Sequence, residues 1–399
     1  MKYSKLFITA LSLAFIQSCN SDDSDNNLSV DDVKLNSSYS TNRLKIMTIE
    51  PTVSGFENAT YTWKKGNEII GTDKTFSFVS DEVGTYKLTL EVKGLSTTKK
   101  LETQITVNKE SKVYSKYIAQ VYDFMPAVGQ FTNDLPEYVS GNTRQQMIAK
   151  AASSIVGADG QLISLGGYGG YVVFGFDHTI INKADKKDFK ILGNAFWGND
   201  AQEERAGSCE PGIIMVAYDK NNNGVPDEDE WYEIAGSEYT NSKTIKNYSI
   251  VYNKPDENKT PVKGTHGWDI DIEYIKWTDN QGNTGYKTKN SFHDQSYYPL
   301  WFGDNQLKFT GTLLPNNFYD QSGTGTYWVG KSYAYGYADN APNNDEASNI
   351  DIDWAVDKNG NKVKLPGIDF IKVYTGVNQE AGWLGEVSTE IMGAYDLHF

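Results

Sequence analysis

Apolar residues in this chain recur with a period of two along most of its length and with a helical period only once. In Thr75-Phe76-Ser77-Phe78-Val79, in the set Tyr86, Leu88, Leu90 and Val92, and from Leu101 to Val107, every second side chain is apolar. Successive side chains of a strand point to opposite faces, so this spacing builds half-buried sheets. More strands are expected at 171–176, 212–218, 248–252, 307–312 and 369–375. The exception is Arg144 to Val156, where Met147, Ile148, Ala151, Ala152 and Ile155 fall on one helical face. The fold class expected is therefore all-β with one short helix.

The strand pattern divides the chain into two units. Residues 28–109 read as one small β-domain: Thr60-Tyr61-Thr62-Trp63 places a Trp on a middle strand, Gly66-Asn67 makes a turn, and Gly84-Thr85-Tyr86 opens a long strand. A Trp and a Tyr so placed resemble the Ig/PKD-like sandwich domains. The resemblance speaks for fold, and the simplest role is a spacer. After a charged joint at Lys109 to Lys112, residues 113–399 carry no linker, low-complexity run or repeat. They are expected to form one larger jelly-roll-like (galactose-binding-like) β-sandwich that binds a ligand.

The N-terminus reads as an address. Lys2 and Lys5 precede an apolar run from Leu6 to Ile16, too short to span a bilayer but suited to a signal peptide over residues 1–18. Gln17-Ser18-Cys19 resembles the lipobox of bacterial lipoproteins, which implies cleavage before Cys19 and lipidation of its thiol. Several acyl chains anchor stably where one does not. Residues 19–27 continue as an acidic, flexible tether, similar to the surface-export signal of Bacteroidetes lipoproteins. The expected location is the outer membrane at the cell surface, held by the lipid anchor only.

Charge and cysteine count exclude several classes. The formal net charge is −15, and −17 once Lys2 and Lys5 leave with the signal. Nucleic acid needs a basic footprint and is excluded as a partner. With Cys19 acylated, Cys209 is the one remaining thiol, so neither an intramolecular disulfide nor a Cys-based zinc site forms. Four dispersed histidines make a His-rich metal centre equally unsuited.

Two features carry chemistry. Asp219 to Glu230 (DKNNNGVPDEDE) matches the calcium-loop pattern D-x-[DN]-x-[DN]-G-x5-E at each fixed position. Side chains of Asp219, Asn221, Asn223 and Asp227, the carbonyl of Val225 and a bidentate Glu230 are the expected Ca2+ ligands, hard oxygens around a turn that Gly224 permits. The flanks read as strand, so the loop is no EF-hand, and the ion's expected role is structural. The alternative is an acidic hairpin without metal. The second feature is aromatic density, with 26 Tyr and 9 Trp. Tyr297, Tyr298 and Trp301 form one cluster and Tyr333, Tyr335 and Tyr337 another, where alternation would place the three tyrosines on one face; both suit a binding platform, and both equally suit a sandwich core.

Other motifs carry less. The glycines of 164–171 are followed by a strand rather than a helix, so they are no dinucleotide fingerprint. Asp177-His178 reads as a satisfied structural pair, and the pairs Asp269/Asp271 and Asp351/Asp353 share strand faces without flanking a substrate. No catalytic residue is assigned.

Several stretches between Tyr122 and Tyr395 together resemble cell-surface lipoproteins of Bacteroidetes that join a PKD-like domain to a C-terminal β-sandwich module. They include Met125 to Phe131 (with Val128 where a second Pro is expected), the glycine run into Gly175-Phe176-Asp177-His178, and Glu210-Pro211-Gly212-Ile213. The calcium-like loop into Trp231-Tyr232-Glu233, Tyr319 to Gly323 with Tyr327-Trp328-Val329, Gly336 to Asn340 and Gly382 to Glu386 complete the set. Such proteins are often encoded in corrinoid (vitamin B12) uptake loci. The resemblance implies a non-enzymatic protein that captures a corrinoid for an outer-membrane TonB-dependent transporter and its surface lipoproteins. A glycan-binding lipoprotein of a polysaccharide-uptake system is the alternative, and a surface hydrolase the third.

Overall fold

The computed structural model describes residues 32–399. Cys19, the signal segment and the acidic tether lie outside them. Five strands, β1 (Ser38–Asn42), β2 (Thr60–Lys65), β3 (Glu68–Gly71), β4 (Gly84–Lys93) and β5 (Thr98–Asn108), make the main sheet of the first unit. Their order is β1-β5-β4-β2-β3, with β1 parallel to β5 and the rest antiparallel. The alternating set on β4 faces a core of its own, built from Trp63, Leu88, Leu90, Val92, Ile105 and Val107. Trp63 is fully buried, yet its indole N–H reaches the carbonyl of Asp73 at 3.0 Å, so no polar group is stranded.

In the second unit the strands of the two main sheets, which shorter strands in smaller sheets accompany, are β6 (Gln120–Met125), β7 (Tyr171–Ile181), β8 (Gly212–Ala217), β9 (Tyr232–Ile234), β10 (Ile245–Asn253), β11 (Asp269–Asp279), β12 (Thr284–Asn290), β13 (Gln306–Leu313), β14 (Ala355–Val356) and β15 (Gly367–Thr375). They form a six-stranded sheet, β6-β7-β15-β8-β9-β14, and a four-stranded sheet, β12-β11-β10-β13, both antiparallel. One face of the six-stranded sheet is covered by helix α1 (Arg144–Ile155). Thr143 and Gln146 close a capping box at its start. Met147, Ile148, Ala151 and Ile155 then pack on Phe124, Val172 and Phe174, each large apolar side chain contributing roughly 1.5–3 kcal/mol of transfer free energy.

The other face meets the four-stranded sheet through tyrosines. Tyr168, Tyr248, Tyr252 and Tyr374 are buried between the sheets. Three of their hydroxyls find partners: Tyr252 donates to the carbonyl of Tyr168 at 3.2 Å, Tyr248 donates to Asp279 at 3.1 Å, and Tyr374 accepts the Thr312 N–H at 2.8 Å, while the Tyr168 hydroxyl is buried without a partner. Gly311 is required here, since a Cβ would lie 2.6 Å from the Tyr374 hydroxyl oxygen. The fold is thus nearly all-β with one α-helix among the described residues, as the periodicity predicts. The two units touch through the Thr179 N–H, which donates to the Leu44 carbonyl at 2.8 Å, and through the Lys183–Asp81 ion pair at 2.9 Å.

Candidate functional site

At one end of the sandwich, loops leaving β6, β12 and β15 enclose a cleft of about 460 Å³, within the ~300–1,000 Å³ range of small-ligand sites. Its mouth is aromatic. Phe131 and His293 meet edge to face with ring centroids 4.6 Å apart, and Phe292 meets Trp383 at 6.1 Å. Phe292 is 58% exposed, so this pair of rings is open to solvent at the rim. Trp383 stands on a short 3-10 turn, Gly382–Leu384, and its indole N–H donates to the Thr326 carbonyl at 3.3 Å.

The wall behind the rings is a rigid polar layer. Gln130 donates to the Leu384 carbonyl at 2.7 Å and accepts from Asn290 at 2.7 Å. Its own N–H donates to Glu386 Oε1 at 2.7 Å. Gly129 lets that carboxylate approach, because a Cβ there would collide with Glu386 Oε1. Burial pushes the Glu386 carboxyl up to about 8, against the Gln130 N–H that favours its charged form. Burial also lowers the His293 imidazole below its ordinary value, which leaves the ring neutral at pH 7.

Two more carboxylates, Glu210 and Glu390, line the cleft, and Asp339 stands beside them. Oxygens of Glu210, Asp339 and Glu390 all lie within 4.8 Å of one another. Asp339 accepts the N–H groups of Asn194 (2.9 Å), Ala195 (2.8 Å) and Glu390 (3.0 Å). Glu390 accepts the hydroxyls of Ser164 (2.9 Å) and Ser388 (2.6 Å), and Glu210 accepts the Ser388 N–H at 3.2 Å. No lysine or arginine pairs with them among the described residues. Burial, and then mutual repulsion, raises Glu210 and Asp339 well above the carboxylate range; burial raises Glu390 as well. Protons shared within the cluster turn some of these oxygens into donors as well as acceptors.

The aromatics expected to contact ligand stand elsewhere. Tyr297, Tyr298 and Tyr337 are buried in the intersheet core. Their hydroxyls are used internally: Tyr298 donates to the Asp304 carbonyl at 2.8 Å, and Tyr337 accepts the Glu238 N–H at 2.9 Å. Trp301 stacks on Tyr138 and Phe124 beside α1. Residues 333–337 are a turn rather than a strand, with Gly336 at φ +88°. Tyr333 and Tyr337 therefore pack together at 5.4 Å, while Tyr335 turns outward onto Trp354 at 4.6 Å. None of the six lines the cleft.

Sequence reasoning passed over Phe131, Phe292, His293, Trp383 and the carboxylates as site residues. A signal did exist. Four of the stretches that carry the family resemblance, Met125 to Phe131, Glu210 to Ile213, Gly336 to Asn340 and Gly382 to Glu386, are far apart in sequence and meet at this cleft.

The Asp219–Glu230 loop forms a tight turn with Gly224 at φ +79°. Asp219 accepts the N–H groups of Asn223 (3.0 Å) and Gly224 (2.9 Å). The carboxamides of Asn221 and Asn223 converge on Asp227 Oδ2 at 2.6 and 2.7 Å. Glu230 folds back to accept the N–H groups of Lys220 and Asp227 at 2.7 and 3.1 Å. The side chains at positions one, three, five, nine and twelve thus gather around one turn, and the donor set fits a hard cation. His178 is a satisfied structural residue, bonded to Asp177 at 2.9 Å and Asp396 at 3.0 Å.

The PKD-like domain family matches residues 32–94. No curated protein matches the chain. Among solved structures, a quinonprotein alcohol dehydrogenase-like protein from Bacteroides thetaiotaomicron is similar at 16% identity over 49% of this chain, with a TM-score of 0.17. This chain covers 44% of that protein, less than half its length. A SusE-like protein is similar at 8% identity over 92% of this chain and 97% of its own, with a TM-score of 0.30. Carbohydrate-binding modules of the β-sandwich superfamily are similar at 9% identity over 92% of this chain and 96% of theirs, with a TM-score of 0.15. The N-terminal unit is a PKD-like domain.

Proposed function

We propose that this protein is a non-catalytic, surface-displayed lipoprotein that captures a short oligosaccharide in the aromatic-mouthed cleft. The observation that carries this reading is the pairing of Phe131, Phe292, His293 and Trp383 at the mouth with buried carboxyls and hydroxyls at the floor. A sugar ring has an apolar C–H face and a polar edge. The first packs on flat aromatic rings, and the second needs fixed donors and acceptors behind them. One fact favours binding over hydrolysis: the oxygens of Glu210, Asp339 and Glu390 are largely held by hydrogen bonds within the protein.

The corrinoid that the family resemblance implies is broader than the cleft and would rest across its rim rather than enter it. The decisive experiment is calorimetric titration of the full chain with a panel of neutral oligosaccharides and, in parallel, with cyanocobalamin. Heat with an oligosaccharide and none with the vitamin supports the sugar reading. Heat with the vitamin alone overturns it and restores capture for a TonB-dependent transporter.

The Asp219–Glu230 loop takes a structural calcium ion in this account. The ion would replace the carboxamide contacts at Asp227 with oxygen ligands from Asp219, Asn221, Asn223, Asp227, Glu230 and the Val225 carbonyl. It would neutralise the clustered carboxylates and fix the loop between β8 and β9.

A further inference from the structure

The four-stranded sheet covers only part of the six-stranded one. Tyr374 on β15 is buried beneath it. Two residues back on the same face, Lys372 lies between Val173 and Met215 on neighbouring strands and lines an open groove of about 350 Å³ with Tyr122, Asp123, Tyr171 and Trp231. Val225 and Pro226 of the Asp219–Glu230 loop form its far wall. This groove is separate from the cleft and shares no lining residue with it.

Lys372 is a cation without an anion. The nearest candidate, Asp123, is already spent: Arg144 holds both its oxygens at 2.8 Å, and the Tyr171 hydroxyl donates to it at 2.7 Å. Among the described residues no carboxylate lies within 4.0 Å of the Lys372 ammonium. Its Nζ sits 4.3 Å from the centroid of the Tyr171 ring. Burial pulls it below the ordinary lysine value, as expected for a charge removed from water without full compensation. Trp231 lines the same groove and offers it an indole ring.

We infer that this groove is a second binding site, for an oligosaccharide that bears a carboxylate, a uronic acid, with Lys372 as the partner of the acid group and Trp231, Tyr122 and Tyr171 as the ring contacts. One compact ammonium answers a single charge. The formal net charge of −15 repels polyanions, so a short, singly charged sugar fits better than a long acidic polymer. The inference goes beyond the neutral-sugar cleft and does not depend on it.

The test titrates the full chain with an aldobiouronic acid and with the same disaccharide after its carboxyl has been reduced to an alcohol. The acid is expected to bind at least tenfold more tightly, a comparison that needs no variant. Lys372→Met keeps the aliphatic stem and should abolish the preference, whereas Lys99→Met, on the exposed surface of the first unit, should leave it unchanged. Equal affinity for the two sugars, no binding of the acid, or a preference that survives Lys372→Met would overturn the inference. So would tight binding of a short glutamate-rich peptide with none of the acidic sugar, which would make the occupant a peptide. Failure of the neutral panel with retention of the acid would sink the cleft reading and leave this one standing.

Discussion

Glu386 joins the cleft to the stability of the molecule. Its carboxyl titrates near 8 in the fold and near 4.3 in the unfolded chain. Between those values the folded state holds a proton that the unfolded state has lost, so stability falls as pH rises. The contribution is fully present below about pH 4 and lost as pH passes about 8. Glu210, Asp339 and Glu390, raised by burial in the same region, act in the same direction. The melting temperature is therefore expected to decline from pH 5 to pH 8, and Glu386→Gln, whose amide oxygen still accepts the Gln130 N–H, should flatten the decline. A melting temperature that rises over that interval, or an unchanged slope in the variant, contradicts the assignment. None of this was legible in the sequence. An isolated Glu in Gly382-Trp383-Leu384-Gly385-Glu386 says nothing about whether its carboxyl meets water; the close approach of Gly129, 257 positions earlier, decides that.

Elements were more legible than their surroundings. The period-two pattern shows which side chains share a strand face, and β4 and β5 follow it. It does not show which face is later covered by a second sheet, and so Tyr297 and Tyr298 read as easily for platform as for core. At Tyr333 to Tyr337 the pattern itself misleads. Gly336 turns the backbone to φ +88°, no strand forms, and Tyr335 parts from its neighbours. The Asp219–Glu230 loop is the reverse case, because spacing alone specifies its turn. Calcium is expected to stabilise the chain by about 2.7 kcal/mol when present at a hundred times its dissociation constant. Asp219→Ala and Glu230→Ala should each remove the calcium-dependent part of the melting temperature. If a chelator leaves the wild-type melting temperature unchanged, the loop is an acidic turn held by its own hydrogen bonds.

At the scale of the molecule, two β-units with separate cores are stacked through Leu44–Thr179 and Asp81–Lys183. Each unit carries its own set of alternating strands, the pattern from which the division is read. The cleft was not legible in that pattern, because it is assembled from loops that no local period links. No helix among the described residues is long and apolar enough to cross a membrane. The proposed anchor is Cys19. Cys19→Ala should abolish labelling by a palmitate analogue and release the protein from the membrane fraction; a mutant that still takes up the label defeats the lipoprotein reading. The claim on which the rest depends is that ligand packs against the aromatic mouth of the cleft. It is tested most directly by titrating wild type, Phe292→Ala and Trp383→Ala with the tightest oligosaccharide of the panel, with melting temperatures measured alongside. The account predicts a loss of roughly tenfold or more in each variant, about 1.4 kcal/mol, with little change in melting temperature. Unchanged affinity in both variants would place the ligand elsewhere and contradict the account.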